Sequence, residues 1–252
     1  MQVSPATEQR RARPGGWWQE AAVARRAAVA ATVLCILLAC FAFVQFGTPH
    51  LADNDGYYHM RMAALMRSEG LRVEFPWLPL TILKPGAFYD HHMLFHAYLA
   101  LFVGDRTPEQ MLAGAKLASI IMPALAGLAI WWLLAAQGVP GAALWAIGTC
   151  AISDAFLYRM SMPRAQAASL LLLVLALHWL LRRRYALLLP LGFVYVWLYN
   201  AFPLLILLAS IAVVATFATE RRLEWRALAY PLAGIALGIV INPYFPENIV
   251  FI

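Results

Sequence analysis

Apolar stretches of about 15 to 25 residues recur along the whole sequence, and this feature constrains the fold more than any other. Hydrophobic residues make up 63% of the 252 residues and charged residues only 13%, whereas a soluble domain carries about 25% charged residues. So few charges cannot cover a water-facing surface, which excludes a soluble fold. The pattern predicts an all-α, polytopic bundle of transmembrane helices.

Seven stretches are long and apolar enough to be predicted as spans, with Pro, Gly or charged residues between them. They are residues 27–47, 111–136, 141–157, 165–181, 186–199, 203–219 and 227–241. Residues 1–26 then form a basic cytoplasmic N-terminus. Residues 27–252 form the membrane domain, in which residues 48–110 are a long first external loop with short helices.

One further apolar stretch, residues 87–103, carries Asp90, His91 and His92 in its first half, and whether it crosses decides the topology. If it does not cross, the arginine clusters within 10–26, 182–184 and 221–226 share one side and supply eleven of the nineteen Lys and Arg residues. If it crosses, the last two clusters lie outside, although basic residues concentrate in cytoplasmic loops. We therefore expect a non-spanning helix at the outer interface. These flanking clusters also account for the net charge of +6, so nucleic-acid binding is not expected.

This topology places the unusual polar segments together on the noncytoplasmic side of the membrane. They are residues 53–55, 90–92, 158–164, 199–200 and 242–244. A shared side predicts a shared site. The centres of the predicted spans hold no Asp, Glu, Lys or Arg, which argues against a proton-coupled or ion-coupled transporter.

Asp53 and Asp55 directly follow the first predicted span. One interpretation is that Asp55 caps a helix whose apolar face includes Tyr58 and Met62. The other is a metal site, because two carboxylates two residues apart offer the oxygen ligands that Mg²⁺ or Mn²⁺ prefers. The spacing by itself is compatible with both interpretations.

Three segments resemble the catalytic subunit of the oligosaccharyltransferases in order, spacing and sidedness. Residues 54–61, Asn-Asp-Gly-Tyr-Tyr-His-Met-Arg, resemble the first acidic motif of that family, with Asp55 as the acid and Arg61 six residues later. Residues 153–162 resemble the start of its second external loop, and residues 195–203 resemble its later aromatic-rich external turn. The resemblance extends over the membrane half of the family.

The resemblance implies a C-type glycosyltransferase fold and an enzyme that takes a sugar from a polyprenyl-phosphate-linked or polyprenyl-pyrophosphate-linked donor. It implies a protein or a glycan as the acceptor of the sugar. It implies a catalytic role for Asp55, with Asp53 beside it, and a divalent cation, Mg²⁺ or Mn²⁺, at the noncytoplasmic face of a bacterial inner membrane. The soluble half of the family has no counterpart in the sequence, so we expect part of a longer protein or a compact relative.

Residues 90–92 are candidates for further metal ligands, because Gln166 stands where the family has its next acid. Asp90, His91 and His92 lie on the predicted interfacial helix at the depth of Asp55. The alternative is an ordinary helix start, in which Asp90 caps the helix and the two histidines are solvated.

Arg159, Arg164 and Arg61 are candidates for binding the donor phosphate, because guanidinium groups hold phosphate oxygens with two parallel hydrogen bonds. The alternative for the first two is contact with lipid headgroups of the membrane, and for Arg61 an ion pair at the surface. Two other classes of function stay open for the whole chain. One is a transporter or lipid flippase, and the other is a noncatalytic membrane subunit.

Overall fold

The computed structural model describes residues 16–77, 80, 88–104 and 107–251. These residues form eleven α-helices and no strand, which confirms the all-α prediction. The helices are α1 (Gly16–Phe46), α2 (Asp55–Glu69), α3 (Met93–Val103), α4 (Pro108–Ala136), α5 (Ala142–Gly148), α6 (Asp154–Ser161), α7 (Gln166–Leu181), α8 (Leu188–Leu198), α9 (Pro203–Glu220), α10 (Arg226–Val240) and α11 (Glu247–Phe251). The basic residues predicted at 10–13 and residue 87 of the ambiguous stretch lie outside the described residues.

Fewer helices reach membrane length than the seven spans predicted. Among the described residues, α1, α4 and α9 are long and apolar enough to cross a membrane, and α6 with α7 make a fourth span if this pair, bent by 104°, is counted as one. The prediction of seven was wrong because apolar composition does not report helix length. α5, α8 and α10 have only 7, 11 and 15 residues, whereas a span needs about 20.

The ambiguous stretch forms α3, which has 11 residues. At about 1.5 Å per residue this helix is about 16 Å long, roughly half the thickness of the hydrocarbon core. This short length is what the non-spanning prediction requires. Placement of α3 at a membrane interface stays a prediction.

Capping residues explain where two of the helices begin. Thr107 and Gln110 form a reciprocal capping box at the start of α4, with Pro108 at the first helical position. Ser153 accepts a hydrogen bond from the backbone amide of Phe156 and starts α6. That cap divides the stretch 141–157, which was predicted as one span, into two short helices.

Glycines allow the closest helix packing in the structure. α8 packs against α10, and a Cβ added to Gly234 would lie 2.0 Å from the carbonyl oxygen of Leu189. A Cβ on Gly192 would lie 2.7 Å from the carbonyl oxygen of Pro231. Small residues at such contacts let two backbones approach, as they do between membrane helices in general.

At one end of the bundle, hydrogen bonds join the end of α1 to a side chain of α4 and to the backbone at the end of α6. The ammonium group of buried Lys116 donates hydrogen bonds to the carbonyls of Gln45 and Thr48. Gln45 belongs to the last turn of α1, where carbonyls have no partner within the helix, and Thr48 follows the helix. The side-chain amide of Gln45 donates to the carbonyl of Ser161. These bonds place residues 48–55 beside residues 161–166, and we call this end the polar end.

The described arginines of these clusters lie at the opposite end of the bundle, which we call the arginine end. Arg182, at the end of α7, donates a hydrogen bond to the carbonyl of Ala136 at the end of α4. Arg183 pairs with Glu220 and Glu224 at the end of α9 and just beyond it. The C-terminal ends of α4, α7 and α9 therefore meet at the arginine end. The side of the membrane on which this end lies stays a prediction.

Candidate functional site

Asp53, rather than Asp55, caps α2. The Oδ1 atom of Asp53 accepts hydrogen bonds from the backbone amides of Asp55, at 2.5 Å, and Gly56, at 3.2 Å. Asp55 is the first residue of the helix, and its side chain is 62% exposed. A capping side chain has to precede the free amides of the first turn, so the interpretation that Asp55 caps this helix is corrected.

Arg164 joins the start of α2 to the segment between α6 and α7. Its Nε and Nη2 atoms donate to the two carboxylate oxygens of Asp53 at 2.6 and 3.0 Å, and Nη2 also lies 2.6 Å from Oδ2 of Asp55. Burial acts to raise the pKa of Asp53, but the hydrogen bond and charge of Arg164 outweigh it and hold this pKa below its ordinary value. Asp53 is therefore a fixed carboxylate that orients the guanidinium group.

Close contact between Gly56 and Pro163 supports this ion pair. A Cβ added to Gly56 would lie 2.4 Å from Cγ of Pro163, the residue before Arg164. Only glycine leaves room for the proline ring against α2. The local sequence thus brings two segments together that are more than a hundred residues apart.

These contacts form one wall of a cavity of about 300 Å³ at the polar end. We call it the polar cavity. Its lining residues are Asp55, Tyr58, His59, His91, His92, Arg164, Gln166, Tyr199 and Asn200. They come from α2, from the residues before α3, from the start of α7 and from the turn between α8 and α9.

A buried chain of hydrogen bonds runs from Asp90 through His96 to His59. Oδ2 of Asp90 lies 2.7 Å from Nδ1 of His96, and Nε2 of His96 lies 2.7 Å from Nδ1 of His59. The three residues are 2%, 0% and 4% exposed. A carboxylate at Asp90 accepts the Nδ1 proton of His96, whose Nε2 then accepts the Nδ1 proton of His59. In this assignment of protons, which follows from Asp90 as the acceptor, Nε2 of His59 carries no proton, and His59 lines the cavity.

Burial sets the protonation of the histidines around this chain. It lowers the pKa of His59, and the neighbouring His96 lowers it further while Asp90 acts in the opposite direction. Burial also lowers the pKa of His91 and His92. Neutral imidazoles therefore line the cavity at neutral pH. His92 stacks on the ring of Tyr199, with ring centroids 5.2 Å apart and planes inclined by 27°.

The structure brings four of the predicted site residues together and separates two others from them. Asp55, His91, His92 and Arg164 line the polar cavity. Asp53 holds Arg164 from behind, and Asp90 lies at the buried end of the hydrogen-bonded chain. Arg61 and Arg159 are exposed and are not part of the cavity wall.

The carboxylate groups that were expected to bind a divalent cation already have partners within the protein. Both Asp53 and Asp55 bind Arg164. The two oxygens of Asp90 bind the backbone amide of His92 and the ring of His96. In the described part of the chain, no three His, Cys, Asp or Glu residues are grouped to hold a metal ion. These residues do not fit a metal in this arrangement, so the cation stays a prediction.

Sequence reasoning did not assign His59, His96 or Gln166 to the site. A signal was present for the two histidines, because His59 follows Asp55 by four residues and His96 follows His92 by four. Residues four apart share one face of a helix. The Oε1 atom of Gln166 is buried and has no hydrogen-bond partner among the residues described, which leaves it available to a ligand in the cavity.

Comparisons of the chain with protein-family models, with curated proteins and with solved structures find no match. The resemblance to oligosaccharyltransferases therefore rests on the three sequence motifs alone. Function has to be argued from the geometry of the polar cavity.

Proposed function

We propose that this chain is an integral-membrane glycosyltransferase that uses a polyprenyl-phosphate-linked or polyprenyl-pyrophosphate-linked sugar at the noncytoplasmic face of a bacterial inner membrane. One observation carries the proposal. Arg164, oriented by Asp53, lies in the same cavity wall as His59, which ends a buried Asp-His-His chain. A cation for a leaving phosphate and a base for an acceptor are thereby held together.

The position of the cavity supports the proposed side of the membrane. The polar cavity and the arginine end lie at opposite ends of a bundle whose described residues include three or four helices that could cross a membrane. Arginine clusters favour the cytoplasmic side. The polar cavity then faces the other side, where the phosphate of a lipid-linked donor reaches the water boundary.

Arg164 is proposed to bind the donor phosphate and to offset the charge that builds on it as the sugar leaves. Asp55, which is largely exposed, gives up its hydrogen bond to Arg164 when the phosphate arrives, whereas buried Asp53 keeps the guanidinium group oriented. Gln166 adds an amide whose Oε1 has no partner within the described residues. The cavity volume suits a single sugar unit rather than a whole lipid.

His59 is proposed to accept the proton of the acceptor hydroxyl, which attacks the anomeric carbon while the bond from that carbon to the phosphate oxygen breaks. The proton goes to Nε2 of His59, and the positive charge is stabilised through His96 by Asp90. Asp55 orients the acceptor at the cavity rim. The stacked rings of His92 and Tyr199 offer an apolar face to the sugar.

The experiment is a transfer assay with the purified protein in lipid nanodiscs and a radiolabelled polyprenyl-linked sugar donor. Arg164→Gln should lower turnover by about 100-fold or more, as removal of one charge-stabilising donor does in other enzymes. Arg159→Gln removes the same charge from an exposed position outside the cavity and should leave turnover within about twofold. A folded Arg164→Gln protein with unchanged turnover, or a wild-type protein that only moves the donor across the bilayer, contradicts the proposal.

A further inference from the structure

A second, larger cavity lies at the arginine end, between α1, α4 and α7. Its volume is about 690 Å³, more than twice that of the polar cavity. Arg26, Arg182 and Arg184 line it together with His178, Trp131 and Trp132. No role in sugar transfer uses any of these residues.

The charge of this cavity is unbalanced. Three arginines contribute to its wall, and none of the described residues that line it is acidic. Arg182 is positioned by the hydrogen bond that its Nη2 donates to the carbonyl of Ala136. Arg183, between the other two arginines of this run, is directed instead to Glu220 and Glu224 and does not line the cavity. The surplus positive charge of the described wall therefore favours an anionic ligand.

A buried polar group also lacks a partner at this place. His178 is 7% exposed, and its Nδ1 atom has no hydrogen-bond partner within the described part of the chain. The ring of His178 packs against Trp132, with centroids 3.8 Å apart and planes inclined by 30°. A buried nitrogen without a partner costs stability, so an additional hydrogen-bonding group at this position would offset that cost.

The rest of the wall is apolar. Val23, Ala27 and Ala30 of α1 face Ala135 of α4 across the cavity, and α1 and α4 are two of the three helices long enough to cross a membrane. Tryptophans typically lie at the boundary between lipid and water. A free phosphate ion would satisfy the arginines but would leave this apolar surface uncovered, whereas the acyl chain of a lipid would cover it.

We propose that the cavity between α1, α4 and α7 binds the phosphate headgroup of an anionic phospholipid of the cytoplasmic leaflet. Guanidinium groups of Arg26 and Arg184 hold the phosphate oxygens, and the acyl chains extend along the alanine-rich face of α1. Basic pockets between membrane helices on this side are suited to such headgroups. The site does not depend on the proposed sugar transfer, because it lies at the other end of the bundle.

The test measures lipid retention on the purified protein in a neutral detergent by native mass spectrometry. Phosphatidylglycerol and phosphatidylcholine are added in equal amounts. We expect the wild-type protein to retain phosphatidylglycerol preferentially. Arg184→Gln and Arg26→Gln should each weaken that binding by roughly fivefold, the effect expected for one basic residue near an anionic lipid surface.

Arg183→Gln is the matched control, because it removes the same charge from the same run of sequence while leaving the cavity wall intact. Its phosphatidylglycerol binding should equal that of the wild type. Equal loss in Arg183→Gln and Arg184→Gln, or equal retention of the two lipids by the wild type, would overturn the proposal. Displacement of the lipid by millimolar inorganic phosphate would also overturn it, since the cavity would then select phosphate alone. Thermal unfolding curves of all the variants serve as the control that each of them is folded.

Discussion

Asp53 and Arg164 lie 111 residues apart in sequence and are joined by two hydrogen bonds of 2.6 and 3.0 Å. The same carboxylate accepts two backbone amides at the start of α2. One side chain thus caps a helix and orients a cation. This double role separates Asp53 from Asp55, although the two residues are adjacent to the same cavity and have the same chemistry.

The first prediction concerns the free energy of unfolding. Asp53→Ala should lower it by about 2 to 4 kcal/mol, because the change removes a helix cap and a charge-assisted hydrogen bond. Asp55→Ala should lower it by less than about 1 kcal/mol, since the ion pair of Asp55 is exposed. Denaturant unfolding in detergent checks both variants. Equal stability losses would contradict the assignment of the cap to Asp53.

The sequence placed Asp53, Asp55 and Arg164 on the same side of the membrane but did not predict that they are in contact. That prediction rested on the distribution of arginines, a signal that survives even when helix lengths are misjudged. Three of the predicted spans are helices too short to cross, because caps and turns such as Ser153 interrupt apolar runs without changing their composition. Hydropathy therefore gave the number of crossings incorrectly, while the sides inferred from the arginines stay a prediction.

The histidine chain could not be derived from the sequence for a different reason. His59 and His96 are 37 residues apart, and residues 78–79 and 81–87 between them lie outside the described residues. Their contact depends on the rotation of α2 against α3, which is set by buried Met62, Met66 and Met93. Methionine side chains are flexible and fill irregular gaps, so their positions in the sequence do not reveal how one helix is rotated against the other.

Tyr244 shows the same limit for a residue predicted at the noncytoplasmic side. It is 1% exposed, and its hydroxyl group accepts a hydrogen bond from the backbone amide of Val73 at 3.0 Å. The ring packs against Phe88 and Tyr89. No feature of the sequence indicated this contact, through which Tyr244 stabilises the first loop.

The second prediction tests the direction of the proton chain. In Asp90→Asn, the backbone amide of His92 still donates to the side-chain oxygen, which turns the new NH₂ group toward Nδ1 of His96. His96 must then donate from Nε2 to His59, and Nε2 of His59 becomes protonated. Turnover should fall by about 100-fold to 10,000-fold.

Asp154→Asn is the control for this change, because Asp154 is an exposed residue in the first turn of α6. It should retain the turnover of the wild type. Thermal unfolding should show that Asp90→Asn is still folded. A folded Asp90→Asn protein with wild-type turnover would remove His59 as the proton acceptor.

The third prediction concerns stability as a function of pH. The pKa values of His59, His91 and His92 lie below the ordinary histidine value in the folded protein. Below about pH 6.5 the unfolded chain binds protons that the folded chain does not. Stability is therefore fully present above that pH and is lost as the pH falls, by up to about 1.4 kcal/mol per pH unit for each such histidine.

Unfolding midpoints measured between pH 7.5 and 5.5 check this slope. His59→Gln should flatten it, since one of the groups that gains a proton on unfolding is gone. His50→Gln changes an exposed histidine and should leave the slope unchanged. Stability that rises on acidification would have the wrong sign and would contradict the buried, neutral state of these rings.

The fourth prediction concerns the packing of α8 against α10. Gly234→Ala should destabilise the protein by about 1 to 3 kcal/mol, because the added methyl group meets the backbone carbonyl of Leu189, which cannot move away like a flexible side chain. Gly148→Ala is the matched control, since no atom lies within 4 Å of its added Cβ. It should be neutral or stabilising by up to about 1 kcal/mol. Unfolding curves of the two variants measure these changes in stability. Equal changes would mean that α8 and α10 do not pack closely at Gly234.

The fifth prediction places the two ends of the bundle on opposite sides of the membrane. After replacement of Cys35, Cys40 and Cys150 by serine, Asn54→Cys and Arg222→Cys each introduce a single thiol at an exposed position. An impermeant maleimide applied to intact cells should label Asn54→Cys and should label Arg222→Cys only after the membrane is permeabilised. Asn54 belongs to the polar end and Arg222 follows α9 at the arginine end, and an uneven distribution of arginine orients such a bundle with its basic loops inside.

The reverse labelling pattern would place Arg164 and His59 on the cytoplasmic side, where the proposed lipid-linked donor would have to be used from the other leaflet. Labelling of both thiols from outside would show that the two positions lie on the same side of the membrane. The proposal that the two ends of the bundle face opposite sides would then fail.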